Sequence, residues 1–141
     1  DAVHPVTELD QLLPETDLLF MSLPSVSDTV NILNADRMAL LPKGAYVINV
    51  GRGTAIDQDA LIKALDSGHL AGAALDVVVP EPLPADHPLR KAKNLLLTPH
   101  VAGNMTLGYT CERNVQLFCE NLENYAAGRP MHHLVDRRKG Y

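Results

Sequence analysis

The stretch AYVINVGRGTAIDQDALIKALDSGHLAGAALDVV, residues 45–78, reads as a strand, a turn, a helix and a second strand. Ala45 to Val50 reads as a strand. Gly51-Arg52-Gly53 breaks it with a turn, and Asp57 stands where a helix N-cap belongs. Leu61, Ile62 and Leu65 give the following helix its apolar face, Gly68 ends it, and Leu70 to Val78 forms the next strand. Strand, crossover helix and strand in that order is a βαβ unit, which demands a parallel pair and a right-handed connection.

The flanks extend the same alternation. Thr7, with Asp10 three residues on, opens a short helix that Pro14 closes, and the strand Asp17 to Leu23 follows, ended by Pro24. Its run Leu18-Leu19-Phe20-Met21 is apolar on consecutive positions, the pattern of a strand covered on both faces in a parallel sheet. After polar Ser25 to Thr29 come two short helical pieces, the second capped by Asn34 and stopped at Leu41-Pro42-Lys43-Gly44. Beyond residue 78, four prolines (Pro80, Pro82, Pro84, Pro88) exclude regular helix and predict an extended, stiff loop. Leu95 to Thr98 is a fourth strand. Apolar residues at 107, 111, 115, 118, 122 and 125 predict the longest helix, from about Thr106 to Ala127, ending at Gly128 with Pro130 beyond. The fold class is α/β, an open parallel sheet with helices on its faces.

Composition bounds the function. Twelve Lys plus Arg against 17 Asp plus Glu give 141 residues a formal net charge of −5 with 46% apolar residues, the profile of one globular domain. That charge excludes a dedicated nucleic-acid binder or an anionic-membrane protein, since each needs a concentrated basic surface, and the only basic cluster is Arg137-Arg138-Lys139. Cys111 and Cys119 form no C-x-x-C, so neither a disulfide framework nor a zinc ribbon is expected, and a reducing, cytoplasmic setting is the default. No apolar run approaches the roughly 20 residues of a membrane-spanning helix, and no leader pattern is present. A start at Asp1 rather than Met suggests an excised or processed piece.

In open parallel sheets ligands sit beyond the carboxyl ends of the strands. Those ends carry Pro24, Gly51 to Gly53, Asp76 and Pro99 to Gly103. Gly51 and Gly53 serve either a tight turn or a close approach of ligand to backbone, and Arg52 between them can fork onto a carboxylate. Position 56 is Ile56, so this is no G-x-G-x-x-G fingerprint, and none occurs elsewhere. Ser22, Asp76 and His100 stand in the order of a hydrolase triad, but Ser22 lies in an apolar strand without the glycines of a nucleophile elbow. A receiver-like phosphoacceptor at Asp76 would need further carboxylates for its metal, and Ser22 and Asn49 supply none. Taken alone, Asp76 is a loop cap and His100 a hydrogen-bonded turn histidine. Glu81 in Pro80-Glu81-Pro82 is either an exposed loop acid or a fixed carboxylate beside His100, where it would favour the imidazolium an acid–base catalyst uses. His132 and His133 lack ligand-spaced partners, and no metal site is expected.

The motifs Asn49-Val-Gly-Arg-Gly-Thr-Ala-Ile-Asp57, Ala71-Gly-Ala-Ala-Leu-Asp-Val77, Glu81-Pro-Leu-Pro84 and Thr98-Pro-His-Val-Ala-Gly103, in this order, resemble the D-isomer-specific 2-hydroxyacid dehydrogenases. The resemblance covers nearly the whole chain. It implies a Rossmann-type sheet and hydride transfer between NAD or NADP and a small 2-oxo acid such as glyoxylate or hydroxypyruvate. It gives Arg52 the substrate carboxylate and carbonyl oxygen, His100 the proton transfer, and Glu81 the position behind the histidine. Asp76 would hold the nicotinamide carboxamide, and Pro24, Gly51, Arg52 and Gly103 would line the cofactor. A second class remains open, since some relatives use this fold as a dinucleotide-sensing corepressor.

The departures set further expectations. The family's G-x-G-x-x-G unit and its separate substrate domain are absent from this sequence. Residues 1–128 therefore read as the C-terminal portion of a dinucleotide-binding domain with its linking helix, and 129–141 as a tail. Such a chain is expected to be inactive alone, to bind dinucleotide weakly, and to self-associate as a homodimer through its uncovered sheet edge and face.

Overall fold

The computed structural model of the protein describes residues 2–103 and 107–140. The chain divides into two compact units, Asp1–His100 and Val101–Tyr141.

The first unit is built on four strands, β1 (Leu18–Met21), β2 (Ala45–Asn49), β3 (Leu70–Leu75) and β4 (Leu95–Leu97), in the order β1-β2-β3-β4 and all parallel. Short helices fill the connections: α1 (Leu9–Leu12) precedes β1, α2 (Ala35–Leu40) leads into β2 and α3 (Gln58–Asp66) into β3. The expected caps are made. Asn34 Oδ1 accepts from the Arg37 N–H at 3.0 Å and Asp57 Oδ1 from the Ala60 N–H at 3.0 Å, while Gly68 leaves α3 with φ 72°. Thr7 does not cap a helix; it lies in a 3-10 turn, Val6–Glu8, that runs into α1, and Pro14 sits inside a second such turn, Leu13–Glu15. The four strands start as expected, to within a residue, and each ends one to three residues early, where the chain leaves the sheet for the strand-end loops.

Right-handed crossovers that step in one direction across a sheet lay every connection on the same face. The core accordingly lies on one side. Val47 and Leu75 point into it and pack with Met38 within α2, Leu41 just after it, and Leu61 and Leu65 of α3, all nearly or wholly buried. The alternate residues Leu18, Phe20, Tyr46 and Leu96 face the other way and are more than half exposed. The consecutive apolar run of β1 predicted cover on both faces; within this chain only one face has it, because no connection crosses to the other.

Glycine decides how closely the strand ends approach. A Cβ on Gly51 would stand 2.5 Å from the Leu23 backbone nitrogen, and one on Gly53 2.4 Å from the Val78 carbonyl carbon. Both glycines are buried, and the space a side chain would need is filled by the backbone following β1 and β3. Chain-to-chain packing is thus the immediate need for glycine here.

The proline segment is not a simple extended rod: the Val79–Pro80 and Glu81–Pro82 peptides are cis, and the loop bends through residues 79–82.

In the second unit α4 spans Gly108–Ala126 and Gly128 follows with φ 69°. Thr106, the expected start, lies outside the described residues. Val115, Phe118, Leu122 and Tyr125 make the expected stripe, yet none is buried. The Asn121 side chain pins the tail by donating to the His132 carbonyl at 3.0 Å and accepting from its N–H at 2.7 Å.

Gly53→Ala should cost about 1–3 kcal/mol of stability, the usual range for overpacking a filled site. Urea denaturation measures it, and an unshifted midpoint would mean that the Val78 backbone yields freely.

Candidate active site

Three consecutive strand ends carry the polar residues. At the end of β2, Asn49 is 1% exposed in an otherwise apolar strand. Its Oδ1 accepts from the Gly51 N–H at 3.0 Å and its Nδ2 donates to the Arg52 carbonyl at 3.0 Å. One buried amide therefore closes the turn and sets where Arg52 leaves the sheet. The Arg52 side chain is exposed, with Nη1 donating to the Gly51 carbonyl at 2.7 Å, so most of its donors remain available for an anion.

At the end of β3, Asp76 is 6% exposed and accepts a short hydrogen bond from the Thr98 hydroxyl. The backbone ladder continues past both strands: the Thr98 N–H donates to the Leu75 carbonyl at 3.0 Å and the His100 N–H to the Asp76 carbonyl at 2.8 Å. That second bond holds His100 with φ 53°, the left-handed region that histidine enters more readily than most residues.

His100 Nδ1 lies 2.8 Å from Glu81 Oε2, while Glu81 Oε1 accepts from the Val78 N–H at 2.9 Å. The hydrogen bond from His100, then that from the Val78 N–H, hold the Glu81 carboxyl below its ordinary value of 4.5, and the Arg52 charge adds to this. A carboxylate accepts only, so Nδ1 carries the hydrogen and donates. Nε2, which makes no hydrogen bond among the described residues, is left to exchange a proton. A cavity of about 560 Å³ opens beside the pair, walled by Asp76, Val78, Leu83, Arg90, Thr98 and His100 among others.

Arg52, Glu81, His100 and Asp76 thus occupy one edge of the first unit. Pro24 follows β1, its carbonyl accepting from the Thr29 hydroxyl at 2.6 Å. Gly103 belongs to the second unit, with φ 76°. Sequence reasoning missed Asn49 and Thr98 as organisers of the site; a buried-strand position holding an amide was the available signal for Asn49. Ser22 makes no triad with Asp76 and His100, since the histidine's Nδ1 is taken by Glu81. No group of His, Cys, Asp and Glu among the described residues could hold a metal ion, and no described helix is long and apolar enough to cross a membrane.

The parallel sheet thus presents an arginine after β2 and a carboxylate-backed histidine after β4, on either side of Asp76 after β3, at the end where open α/β sheets bind their ligands. The chain belongs to the family described as D-isomer specific 2-hydroxyacid dehydrogenase, NAD binding domain, whose model matches residues 1–102. It is 46% identical over 96 residues to a glyoxylate reductase of Thermofilum pendens, covering 68% of this chain and 28% of that protein. It is 37% identical to glyoxylate/hydroxypyruvate reductase A of Salmonella newport, over 95% of this chain and 42% of that one. Among solved structures, the D-isomer specific 2-hydroxyacid dehydrogenase of Xanthobacter autotrophicus Py2, in complex with NADPH and MES, superposes with a TM-score of 0.87 at 40% identity, over 99% of this chain and 56% of that one. The NADPH-dependent glyoxylate/hydroxypyruvate reductase of Sinorhizobium meliloti, in complex with NADP and sulfate, gives 0.86 at 32% identity, over 98% and 44%. The chain spans less than half the length of each of these named reductases.

Because the Glu81 carboxyl is held below 4.5, its pairing stabilises the fold above that pH and the contribution is lost as pH falls through the lowered folded-state value. Glu81→Gln should therefore be less stable than the unaltered chain near neutrality, and the difference should vanish in acid. With both side chains more than a third exposed, the effect should stay under about 1 kcal/mol. Chemical denaturation as a function of pH measures it; a gap that persists at the acid end would exclude titration of Glu81 as its source.

Proposed function

We propose that the protein containing this chain is an oxidoreductase that uses NAD or NADP to interconvert a small 2-oxo acid, such as glyoxylate or hydroxypyruvate, and its D-2-hydroxy acid. The observation that supports it most is the 2.8 Å His100–Glu81 pair at the same edge as Arg52.

The fit to a nicotinamide cofactor is one-sided. Asp76, a buried carboxylate on the wall of a cavity whose lining includes Val78, Leu83 and Leu97, suits a flat ring bearing a carboxamide. Pro24, Gly51, Arg52 and Gly103 are the other residues assigned to line it. No G-x-G-x-x-G turn is present to hold a pyrophosphate. When bound, the reduced cofactor supplies the hydride that reaches the substrate's carbonyl carbon. Arg52 grips the substrate carboxylate bidentately and offsets negative charge developing on the carbonyl oxygen. His100 delivers the proton to that oxygen from Nε2, and in oxidation receives it there. Glu81 fixes the ring through Nδ1.

The reading extends to the rest of the molecule. Residues 1–128 form the C-terminal portion of the dinucleotide-binding domain with α4 as its linking helix, residues 129–141 are a tail, and the protein works in the cytoplasm, where exposed Cys111 and Cys119 stay reduced. Neither nucleic acid nor membrane is a partner. Alone, the chain is inactive and covers Leu18, Phe20, Tyr46 and Leu96 by pairing with a second copy.

In the whole protein, His100→Ala should lower kcat about 100-fold or more with KM little changed, the scale of a lost general acid. Arg52→Ala should raise KM and lower kcat together. Steady-state kinetics on a panel of 2-oxo acids reads both; near-normal turnover by the His100 variant would remove the assigned proton donor. No turnover of any 2-oxo acid, with dinucleotide binding intact, would favour the corepressor-type module. For the isolated chain, calorimetry should find no micromolar NADH or NADPH binding, and light scattering across a concentration series should find a dimer; a well-folded monomer would show the exposed face to be tolerated.

A further inference from the structure

Glu81 acts only if its loop is held still, and that loop cannot hold itself. Pro80, Pro82 and Pro84 have no N–H, so residues 79–84 offer more carbonyl acceptors than donors. Donors must come from elsewhere in the chain. Two side chains bring them, one on each side of Glu81.

Gln58, the first residue of α3, meets Val79 with both ends of its amide: Oε1 accepts from the Val79 N–H at 2.8 Å and Nε2 donates to the Val79 carbonyl at 2.5 Å. An amide offers a donor and an acceptor on one rigid plane, the pair that a backbone N–H and its own carbonyl call for. Arg90, in the 3-10 turn Pro88–Lys91, forks onto two successive carbonyls, with Nη2 at 2.7 Å from Leu83 and Nε at 2.8 Å from Pro84. Its guanidinium lines the same cavity as Glu81 and His100. Glu81, between these anchors, accepts from the Val78 N–H with Oε1, which leaves Oε2 turned to His100.

We propose that Gln58 and Arg90 are positioning residues for the Glu81–His100 pair, two struts that fix the loop backbone on either side of the glutamate. The catalytic consequence rests on the dehydrogenase reading above; the positioning does not. Arg90 acts here through the shape of its fork rather than its charge, because its partners are neutral carbonyls. A lysine's three donors radiate from a single nitrogen on a flexible stem, so it lacks the planar pair of nitrogens that meets the two carbonyls here.

The test is the titration of Glu81 by carboxyl ¹³C NMR in the 141-residue chain, with kcat and KM measured in the whole enzyme. Gln58→Leu and Arg90→Ala should each move the Glu81 titration up toward the ordinary carboxylate value, and Arg90→Lys should not restore it. Gln58→Met, which fits much the same space, adds no charge and makes neither hydrogen bond, guards against a variant that fails to fold and should give the same upward direction. In the enzyme, kcat should fall about tenfold with KM within about twofold, the mark of a mispositioned catalytic pair. An unmoved Glu81 titration in the folded Gln58 and Arg90 variants would overturn the proposal, as would full rescue by Arg90→Lys. An inactive whole protein whose Glu81 still responds to both struts would overturn the dehydrogenase reading alone.

Discussion

Parallel pairing in sequential order is the constraint from which the rest of the molecule follows. Strands that all run the same way deliver their carboxyl ends to one edge, and crossovers of one hand deliver their helices to one face. The first consequence gathers Arg52, Asp76 and His100 from separate stretches of sequence. The second concentrates the core on the side of α2 and α3 and leaves Leu18, Phe20, Tyr46 and Leu96 uncovered. Site and bare face are products of the same topology.

At that edge, buried hydrogen bonds convert strand ends into a defined geometry. Asn49 satisfies both halves of its amide on the turn that carries Arg52. Asp76 receives Thr98 through its side chain and His100 through its carbonyl. Removing one partner from such a buried set leaves the other unsatisfied, which is costly and keeps the arrangement single-valued. Gly51 and Gly53 make the set possible by letting adjacent strand-end backbones touch. Arg52 and Glu81, by contrast, are exposed.

The loop between β3 and β4 solves a different problem. Proline supplies local stiffness and withholds N–H donors, so the segment that presents Glu81 is rigid within itself but depends on outside donors for its placement. Gln58 and Arg90 meet that need from elements already fixed by the core, α3 through Leu61 and Leu65 and the 3-10 turn through Leu89. Packing energy deep in the unit is thereby coupled to the direction of one carboxylate at its surface.

The sequence by itself determined the elements and the chemistry available. Asn34 and Asp57 announce their helices because a cap is a contact over three residues, and apolar runs between glycines and prolines mark the strands for the same local reason. Arg52, Asp76, Glu81 and His100 were legible as strand-end or loop polar residues in a recurring order of motifs. Only the tertiary structure decided which of them touch. That His100 Nδ1 meets Glu81 across 19 positions, that a glutamine and an arginine brace the loop, and that β1 is covered on one face only are long-range outcomes. Local propensity does not encode them, because each depends on backbone segments brought together by the sheet, and a one-residue change of register would turn each strand's inward residues outward.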